Sequence, residues 1–111
     1  MLLDTYSSPD EPRVYNVINT VKGTSKEYFR SPDPWEGYTV PTYEMGKIKA
    51  ADGVTDLYYR MVKPADFNPA KKYPTVIYVY GGPHAHNVDA SWHWMSRSWE
   101  TYMAQKGYIL F

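Results

Sequence analysis

The sequence contains no cysteine, no excess of either charge and no long apolar run, and each absence excludes a class of protein. Without cysteine this stretch has no disulfide framework, no thiolate metal site and no cysteine nucleophile. Twelve Lys and Arg residues balance twelve Asp and Glu residues, so the basic surface of a nucleic-acid binder is missing. No apolar run approaches the roughly 18 residues of a membrane span, and the start does not resemble a signal peptide. We therefore expect no nucleic-acid partner and no membrane segment, and the compartment stays open.

The composition is that of a folded chain. Hydrophobic residues make up 43% of the 111 residues and aromatic residues 17%, including 12 Tyr and 4 Trp. Disordered chains carry far fewer aromatic residues. The length corresponds to a single domain or less, since domains commonly have about 100 to 150 residues.

The first 30 residues predict part of an all-β unit. Leu2 to Tyr6 and Val14 to Thr20 have the aromatic and β-branched content of strands, and turn residues from Ser7 to Pro12 separate them. We expect a β hairpin here, followed by a short polar stretch from Ser25 to Arg30. Residues 31–42 then predict a linker, because three prolines fall within them.

The second part of the sequence predicts an antiparallel hairpin and then a buried strand. Tyr43 to Ala50 and Thr55 to Val62 are the two hairpin strands, and Gly53 supplies the positive φ that a tight turn needs. Thr75 to Tyr80 is a continuous apolar run rather than an alternating one. Such a run is typical of a strand that is covered on both faces.

A helix and a last strand are predicted to follow. Four large side chains share one helix face at i, i+4, i+7 and i+8, namely Met95, Trp99, Tyr102 and Met103. Ser96 or Ser98 suits the start of this helix, and Gly107 suits the position after its end. Tyr108 to Phe111 reads as a strand, and strand-helix-strand order implies a parallel pair with a right-handed crossover.

Tyr80, Gly81, Gly82 and Pro83 stand at the carboxyl end of the predicted buried strand, where open α/β sheets place their ligand sites. The glycines allow a sharp turn and a close approach of the backbone to a ligand, and Tyr80 offers a neutral hydroxyl donor. On the residues alone, a strand that ends in a tight turn with a core tyrosine explains the same pattern.

A longer run gives this loop a context. Lys-Lys-Tyr-Pro at 71–74 is followed by Val-Tyr-Gly-Gly-Pro at 79–83, within the run from Asp56 to His84. This run resembles the segment that opens the catalytic domain in the prolyl oligopeptidase family of serine peptidases, and the bacterial form of the dipeptidyl peptidase IV branch in particular. The resemblance covers residues 43–111, whereas residues 1–38 are only loosely similar to the closing blade of the family's β-propeller and its exit linker.

The resemblance implies an α/β fold in three parts. Residues 1–30 would be a β hairpin from the last strands of a β-propeller, and residues 31–42 a linker. Residues 43–111 would be the N-terminal part of an α/β-hydrolase domain, comprising an antiparallel hairpin, a buried strand, a helix and a strand.

The resemblance also implies a site. The family's tyrosine before the glycine pair donates its hydroxyl to the oxyanion of the tetrahedral intermediate, and Tyr80 matches it. Gly81, Gly82 and Pro83 would form the substrate-binding loop beside it. No Gly-x-Ser-x-Gly occurs in the sequence, so we expect the nucleophile and the general base to lie outside this chain.

The implied function belongs to a larger parent protein. It is a serine aminodipeptidase that releases dipeptides from peptide N-termini with proline or alanine second, and the 111 residues alone are expected to be inactive. The resemblance implies no metal or organic cofactor, a homo-oligomeric parent and, from the bacterial relatives alone, an exported or periplasmic protein. An endopeptidase or acylaminoacyl peptidase of the same family fits this stretch equally well.

The sequence also offers a candidate zinc site and an alternative function without catalysis. His84, His86 and His93 form a cluster that offers three ligands to zinc, but a polar surface loop is the simpler interpretation and we expect no metal site. A small α+β module that binds a peptide or glycan without catalytic activity is the alternative function. A Gly-x-Ser-x-Gly in the coding sequence after Phe111 distinguishes the peptidase from this module.

Overall fold

The computed structural model describes residues 1–84, 87–92 and 98–111, and within them the chain divides into two compact units. Residues 1–36 and 90–92 form the first unit. Residues 37–84, 87–89 and 98–111 form the second. Each unit contains one sheet, and the described structure is mostly β-sheet with one helix. That helix is too short to cross a membrane, and no helix among the described residues is longer.

The first unit is built on a three-stranded antiparallel sheet in the order β1-β2-β3. Its strands are β1 Leu2–Ser8, β2 Glu11–Asn19 and β3 Thr24–Arg30. The predicted hairpin is confirmed, because β1 and β2 pair antiparallel along their length. The prediction for the next residues is wrong: the polar stretch is a third strand, paired with β2.

The polar composition of β3 is that of an edge strand. All of its residues are exposed, and polar or charged side chains are the usual protection of an open sheet edge. Contacts with β2 hold it in place: the Phe29 and Tyr15 ring centroids lie 5.7 Å apart, and Arg30 pairs with Glu11 at 2.5 Å. Its order therefore comes from the ladder with its neighbour rather than from an apolar pattern of its own.

Two apolar side chains are buried among the residues described in the first unit. Val14 on β2 is completely inaccessible, and Trp92 is almost so. The backbone N–H of Trp92 donates to the Ser7 hydroxyl at 3.3 Å. This unit thus has a small core.

The second unit begins with the predicted antiparallel hairpin, which is confirmed as β4 Thr42–Lys49 and β5 Asp56–Lys63. Gly53 takes the left-handed φ of 70° that its place in the turn requires. The Asp52 carboxylate accepts hydrogen bonds from the backbone N–H groups of Val54 at 2.8 Å and Thr55 at 2.9 Å. The turn is therefore closed by one glycine and one side-chain acceptor.

Two short strands complete the second sheet, β6 Thr75–Val76 and β7 Ile109–Leu110, with the helix α1 Ser98–Gln105 between them in sequence. The strand order is β4-β5-β7-β6. β7 pairs antiparallel with β5 and parallel with β6. The predicted parallel pair around a helix is therefore confirmed.

The helix α1 ends at the predicted glycine. Gly107 has a φ of 87°, and its N–H donates to the Ala104 carbonyl at 3.0 Å. The N–H of Tyr108 donates to the Met103 carbonyl at 3.1 Å. This pair of bonds is the Schellman arrangement, and it turns the chain from the helix directly into β7.

The buried face of α1 differs from the prediction. Trp99 and Tyr102 were expected in the core, but their exposed fractions are 38% and 57%. Met103 does pack against the core, whereas Met95 and Ser96 lie outside the described residues. The face that is buried carries Glu100, Thr101 and Ala104 instead.

The core of the second unit lies between α1 and the sheet. Val62, Ala104 and Leu110 form its buried cluster, one residue each from β5, α1 and β7. Four partly buried side chains pack around this cluster: Tyr43, Val76, Met103 and Tyr108.

The strand predicted to be buried is largely exposed in this chain. β6 ends at Val76, and the exposed fractions of Ile77 and Val79 are 69% and 81%. The physical reason is that β6 is an edge of the described sheet, with β7 as its neighbour on one side. Beyond β6 the chain keeps contact with β7 through the Tyr78 N–H, which donates to the Phe111 carbonyl at 2.7 Å.

Candidate functional site

The candidate site is the loop that leaves the carboxyl end of β6. Because β6 and β7 run parallel, this loop stands at the edge of the sheet where α/β proteins place ligand sites. Tyr80 follows the last backbone hydrogen bond to β7 by two residues. The short ladder therefore positions the start of the loop, and the loop itself leads away from the sheet.

Tyr80 presents its phenol to solvent. Its side chain is 45% exposed, which differs from the core tyrosine that the residues alone also allowed. Among the residues that the structure describes, no hydrogen bond holds its hydroxyl. The hydroxyl is therefore available as a donor to a ligand at this edge of the sheet.

The two glycines of the loop were expected to allow a sharp turn of the backbone, and their conformation differs from that expectation. Neither Gly81 nor Gly82 has a positive φ, so the loop does not depend on the left-handed freedom of glycine. What Gly82 provides is space, because a Cβ there would stand 3.0 Å from the Tyr80 ring. Pro83 follows as an exposed residue.

The histidine cluster is described in part. His84 is exposed, and His86 and His93 lie outside the described residues. Within the described ranges, His, Asp and Glu side chains form no group of three that could hold a metal ion.

An ion pair that sequence reasoning missed joins the hairpin to the helix. Both Glu100 carboxylate oxygens accept hydrogen bonds from one guanidinium nitrogen of Arg60, at 3.0 and 2.9 Å. The Glu100 side chain is 5% exposed and the Arg60 side chain 21%. A buried charge of this kind requires its partner, because an unpaired one is strongly destabilising.

A second polar contact strengthens the same junction. The hydroxyl groups of Tyr43 and Thr101 are hydrogen-bonded at 3.3 Å. Alternation along β5 puts Arg60 on the same face as Val62, and this was the available signal that Arg60 faces the helix. Glu100 is an acidic residue in the first turn of α1, a position that favours a carboxylate on its own and gives no sign of a partner on β5.

The other face of the hairpin carries a polar cluster around Glu44. Lys63 donates to the Glu44 carboxylate, and the Tyr59 hydroxyl donates to it at 3.0 Å. These hydrogen bonds hold the pKa of the Glu44 carboxyl below its ordinary value of 4.5. The bond to Glu44, with burial, raises the pKa of Tyr59 above 10.0.

The Tyr59 ring is fixed by its neighbours. A Cβ at Gly46, which is the cross-strand partner of Tyr59, would stand 2.6 Å from its hydroxyl oxygen. On its other side the ring stacks on Phe111, with centroids 5.1 Å apart and an interplanar angle of 29°. A glycine and an aromatic residue opposite each other thus form a tight pair in the hairpin.

The loop by itself offers binding and charge stabilisation rather than bond cleavage. Tyr80 is a neutral donor, and a donor of this kind stabilises an oxygen on which negative charge develops. The sequence has no Gly-x-Ser-x-Gly elbow that would expose a serine as nucleophile.

Known proteins similar to this chain are peptidases by name. No protein-family model matches the sequence. Prolyl endopeptidase FAP of Mus musculus is 39% identical over 67 residues, which are 60% of this chain and 8% of that protein. Dipeptidyl peptidase 8 of Mus musculus is 36% identical over 87 residues, 75% of this chain and 8% of that protein. Dipeptidyl-aminopeptidase B of Aspergillus niger is 38% identical over 76 residues, 68% of this chain and 8% of that protein.

A solved structure is similar over nearly the whole chain. A crystal structure from Bacteroides ovatus, described as a dipeptidyl aminopeptidase IV, is 51% identical with a TM-score of 0.86. The match covers 97% of this chain and 15% of that one. The chain therefore spans about 8% of the length of these curated relatives.

Proposed function

Given that this chain belongs to the dipeptidyl peptidase IV and prolyl oligopeptidase family of serine peptidases, we propose that it is a segment of a serine aminodipeptidase and carries a tyrosine of its oxyanion hole. The longer peptidase is the parent of this chain. The observation that carries the proposal is the exposed Tyr80 hydroxyl at the carboxyl end of β6, in a chain of this family.

The domain organisation is part of this proposal. Residues 1–30 supply the last strands of a β-propeller, residues 31–42 link the domains, and residues 43–111 begin an α/β-hydrolase domain. The division of the chain into two units between residues 36 and 37 supports a boundary within the linker. The parallel pair β6 and β7 supports the start of a hydrolase sheet after it.

The role of Tyr80 follows from the chemistry of acyl transfer. A serine of the parent attacks the carbonyl carbon of the scissile amide while a general base takes its proton, and the carbonyl π electrons move to oxygen. The Tyr80 O–H and a backbone N–H donate to this oxyanion. The C–N bond then breaks, the amine leaves with the proton, and water hydrolyses the remaining acyl-enzyme.

The other members of the machinery lie elsewhere in the parent. The proposed nucleophile, acid and base are absent from these 111 residues, and Gly81, Gly82 and Pro83 are proposed to line the substrate. The substrate is a peptide with proline or alanine second, and no metal or organic cofactor takes part. The peptidase names of the relatives favour this function over the α+β binding module.

Replacing Tyr80 by Phe in the parent tests the proposal. The change keeps the ring and removes the hydroxyl, whose bond to the substrate strengthens as charge develops. We expect kcat for a Gly-Pro anilide to fall about a hundredfold to a thousandfold, the cost of one oxyanion donor. KM should stay within about threefold, because ground-state binding is retained.

Tyr58→Phe is the matched control, since Tyr58 is a still more exposed tyrosine on β5 of the same unit. It should leave kcat unchanged. Near-normal kcat in a folded Tyr80→Phe parent would refute the oxyanion assignment.

A further inference from the structure

Gly82 lies beneath the ring of Tyr80. A Cβ built on Gly82 would stand 3.0 Å from each of three Tyr80 atoms, Cε1, Cζ and the hydroxyl oxygen. Carbon atoms in favourable contact are about 3.5 to 4.0 Å apart. A side chain at this position therefore requires the phenol to move by a few tenths of an ångström.

The backbone of Gly82 does not itself require glycine. Its φ is outside the left-handed region, which is occupied by other glycines such as Gly53 and Gly107. An alanine can adopt this backbone without strain. The three atoms nearest to the missing Cβ all belong to Tyr80, so the conflict is with that ring.

Gly81 provides the contrast within the same loop. Apart from its chain neighbours, no atom of the described residues lies within 4 Å of a Cβ built there. Its φ also lies outside the left-handed region. Beyond the immediate chain neighbours, a Cβ at Gly82 would therefore meet a close contact and a Cβ at Gly81 would meet none.

We infer that Gly82 is a positioning residue for Tyr80: its lack of a side chain sets where the phenol hydroxyl stands. The inference rests on the proposed function of Tyr80. Oxyanion donors must lie about 2.7 to 3.1 Å from the developing charge, and productive geometry tolerates about 0.5 Å. The described residues offer no hydrogen bond to this hydroxyl, and the missing side chain of Gly82 leaves the space in which the ring stands.

Gly82→Ala in the parent tests the inference, with Tyr58→Phe, which lies outside the loop, as the control. A displacement of 1 Å costs about a hundredfold in rate, so a shift of a few tenths of an ångström should lower kcat several-fold, up to about tenfold. KM should stay within about threefold, and Tyr58→Phe should stay within about twofold of the unmodified parent in both constants. The melting temperature of Gly82→Ala should fall by no more than about 2 °C, because the shift is confined to an exposed loop.

A peptide aldehyde gives a readout other than turnover. It forms a tetrahedral adduct whose oxygen carries the charge that Tyr80 meets, so its inhibition constant should rise by the same factor as kcat falls. A non-covalent product dipeptide lacks that oxygen, and its inhibition constant should not change.

The double variant Tyr80→Phe, Gly82→Ala decides whether Gly82 acts through the hydroxyl. In Tyr80→Phe the hydroxyl is already absent, so a side chain at position 82 has no donor to displace. The double variant should therefore match Tyr80→Phe alone in kcat and in aldehyde affinity. A full further tenfold loss in the double variant overturns the inference. A lowered kcat in Tyr80→Phe together with a normal kcat in Gly82→Ala would also overturn the inference. A Gly82→Ala parent that fails to fold would overturn it as well. A normal Tyr80→Phe removes the proposed function itself, and the inference with it.

Discussion

Two regions of the second unit belong to one sheet but differ in how much of their side-chain surface is buried. In the anchored region, formed by β4, β5 and α1, Val62 and Ala104 are buried and the ion pair of Arg60 and Glu100 joins strand to helix. In the open segment, residues 75–83, the strand has one neighbour among the described residues, and Ile77 and Val79 are largely exposed. The open segment is the one that carries Tyr80.

The difference shows that local pattern and local burial are separate properties. The open segment contains the longest continuous apolar run of the chain, and Ile77, Val79 and Tyr80 in it are nevertheless exposed. The anchored region contains more charged side chains than the open segment. They can be buried there because they form ion pairs. Three changes test this contrast.

The largest effect concerns the open segment when the 111 residues are isolated. Ile77 and Val79 leave an apolar, half-paired strand exposed, so we expect the chain to self-associate at concentrations on the order of tens of micromolar. Sedimentation velocity measures this directly. A double substitution, Ile77→Lys with Val79→Lys, should return the chain to a monomer.

Val54→Lys is the control for that substitution. Val54 is 77% exposed in the β4–β5 turn, away from the sheet edge, and its replacement should leave the association unchanged. A sharply melting monomer of the unmodified chain would contradict the contrast between the two regions.

The next effect concerns the anchored region. In the parent, Arg60→Met leaves the Glu100 carboxylate buried without its partner, at a cost of about 3 kcal/mol. Amides of β5 and α1 should then exchange hydrogen about a hundredfold faster, measured by mass spectrometry, while residues 77–80 keep their rates. Restoring neutrality with Glu100→Leu in the same protein should recover most of the protection.

Lys47→Met is the matched control, because it breaks an exposed pair with Asp56 on the same hairpin. Exposed pairs contribute little, so exchange should change by about twofold or less. Equal effects of the two substitutions would show that burial does not distinguish these ion pairs.

The smallest effect is a dependence on acid. Hydrogen bonds from Lys63 and Tyr59 lower the pKa of Glu44 in the folded chain, so its contribution is present above its ordinary pKa of 4.5 and is lost as pH falls through the lowered one. Protection of the β4 and β5 amides, corrected for intrinsic exchange, should therefore decline below about pH 4 by less than tenfold. Glu44→Gln should weaken this decline, and an identical pH profile would contradict the assignment.

Some features of the fold followed from the sequence because they are local. The hairpin around Gly53 and the helix end at Gly107 depend on φ values that glycine adopts at little cost, and both are present. β3 was missed because its order comes from pairing with β2 rather than from its own composition.

Features that depend on distant partners were not predictable in this way. Glu100 is buried because β5 presents Arg60 to it, and this contact joins residues forty positions apart. Covering both faces of the run from Thr75 to Tyr80 needs partners that the described residues do not supply. For the site, position and residue type indicated Tyr80 as a donor, while the oxyanion role came from the family resemblance and stays a proposal.

The register of the parallel pair has a consequence for synthesis of the chain. Thr75 pairs with Ile109, so β7, the partner of β6 among the described residues, is made only after more than thirty further residues. At about 5 to 20 residues per second the ribosome needs roughly 2 to 7 seconds for this stretch. The β4 and β5 hairpin, whose partners are adjacent in sequence, closes within microseconds of emerging. During that interval the apolar run that begins with β6 is without β7, while the hairpin before it is already formed.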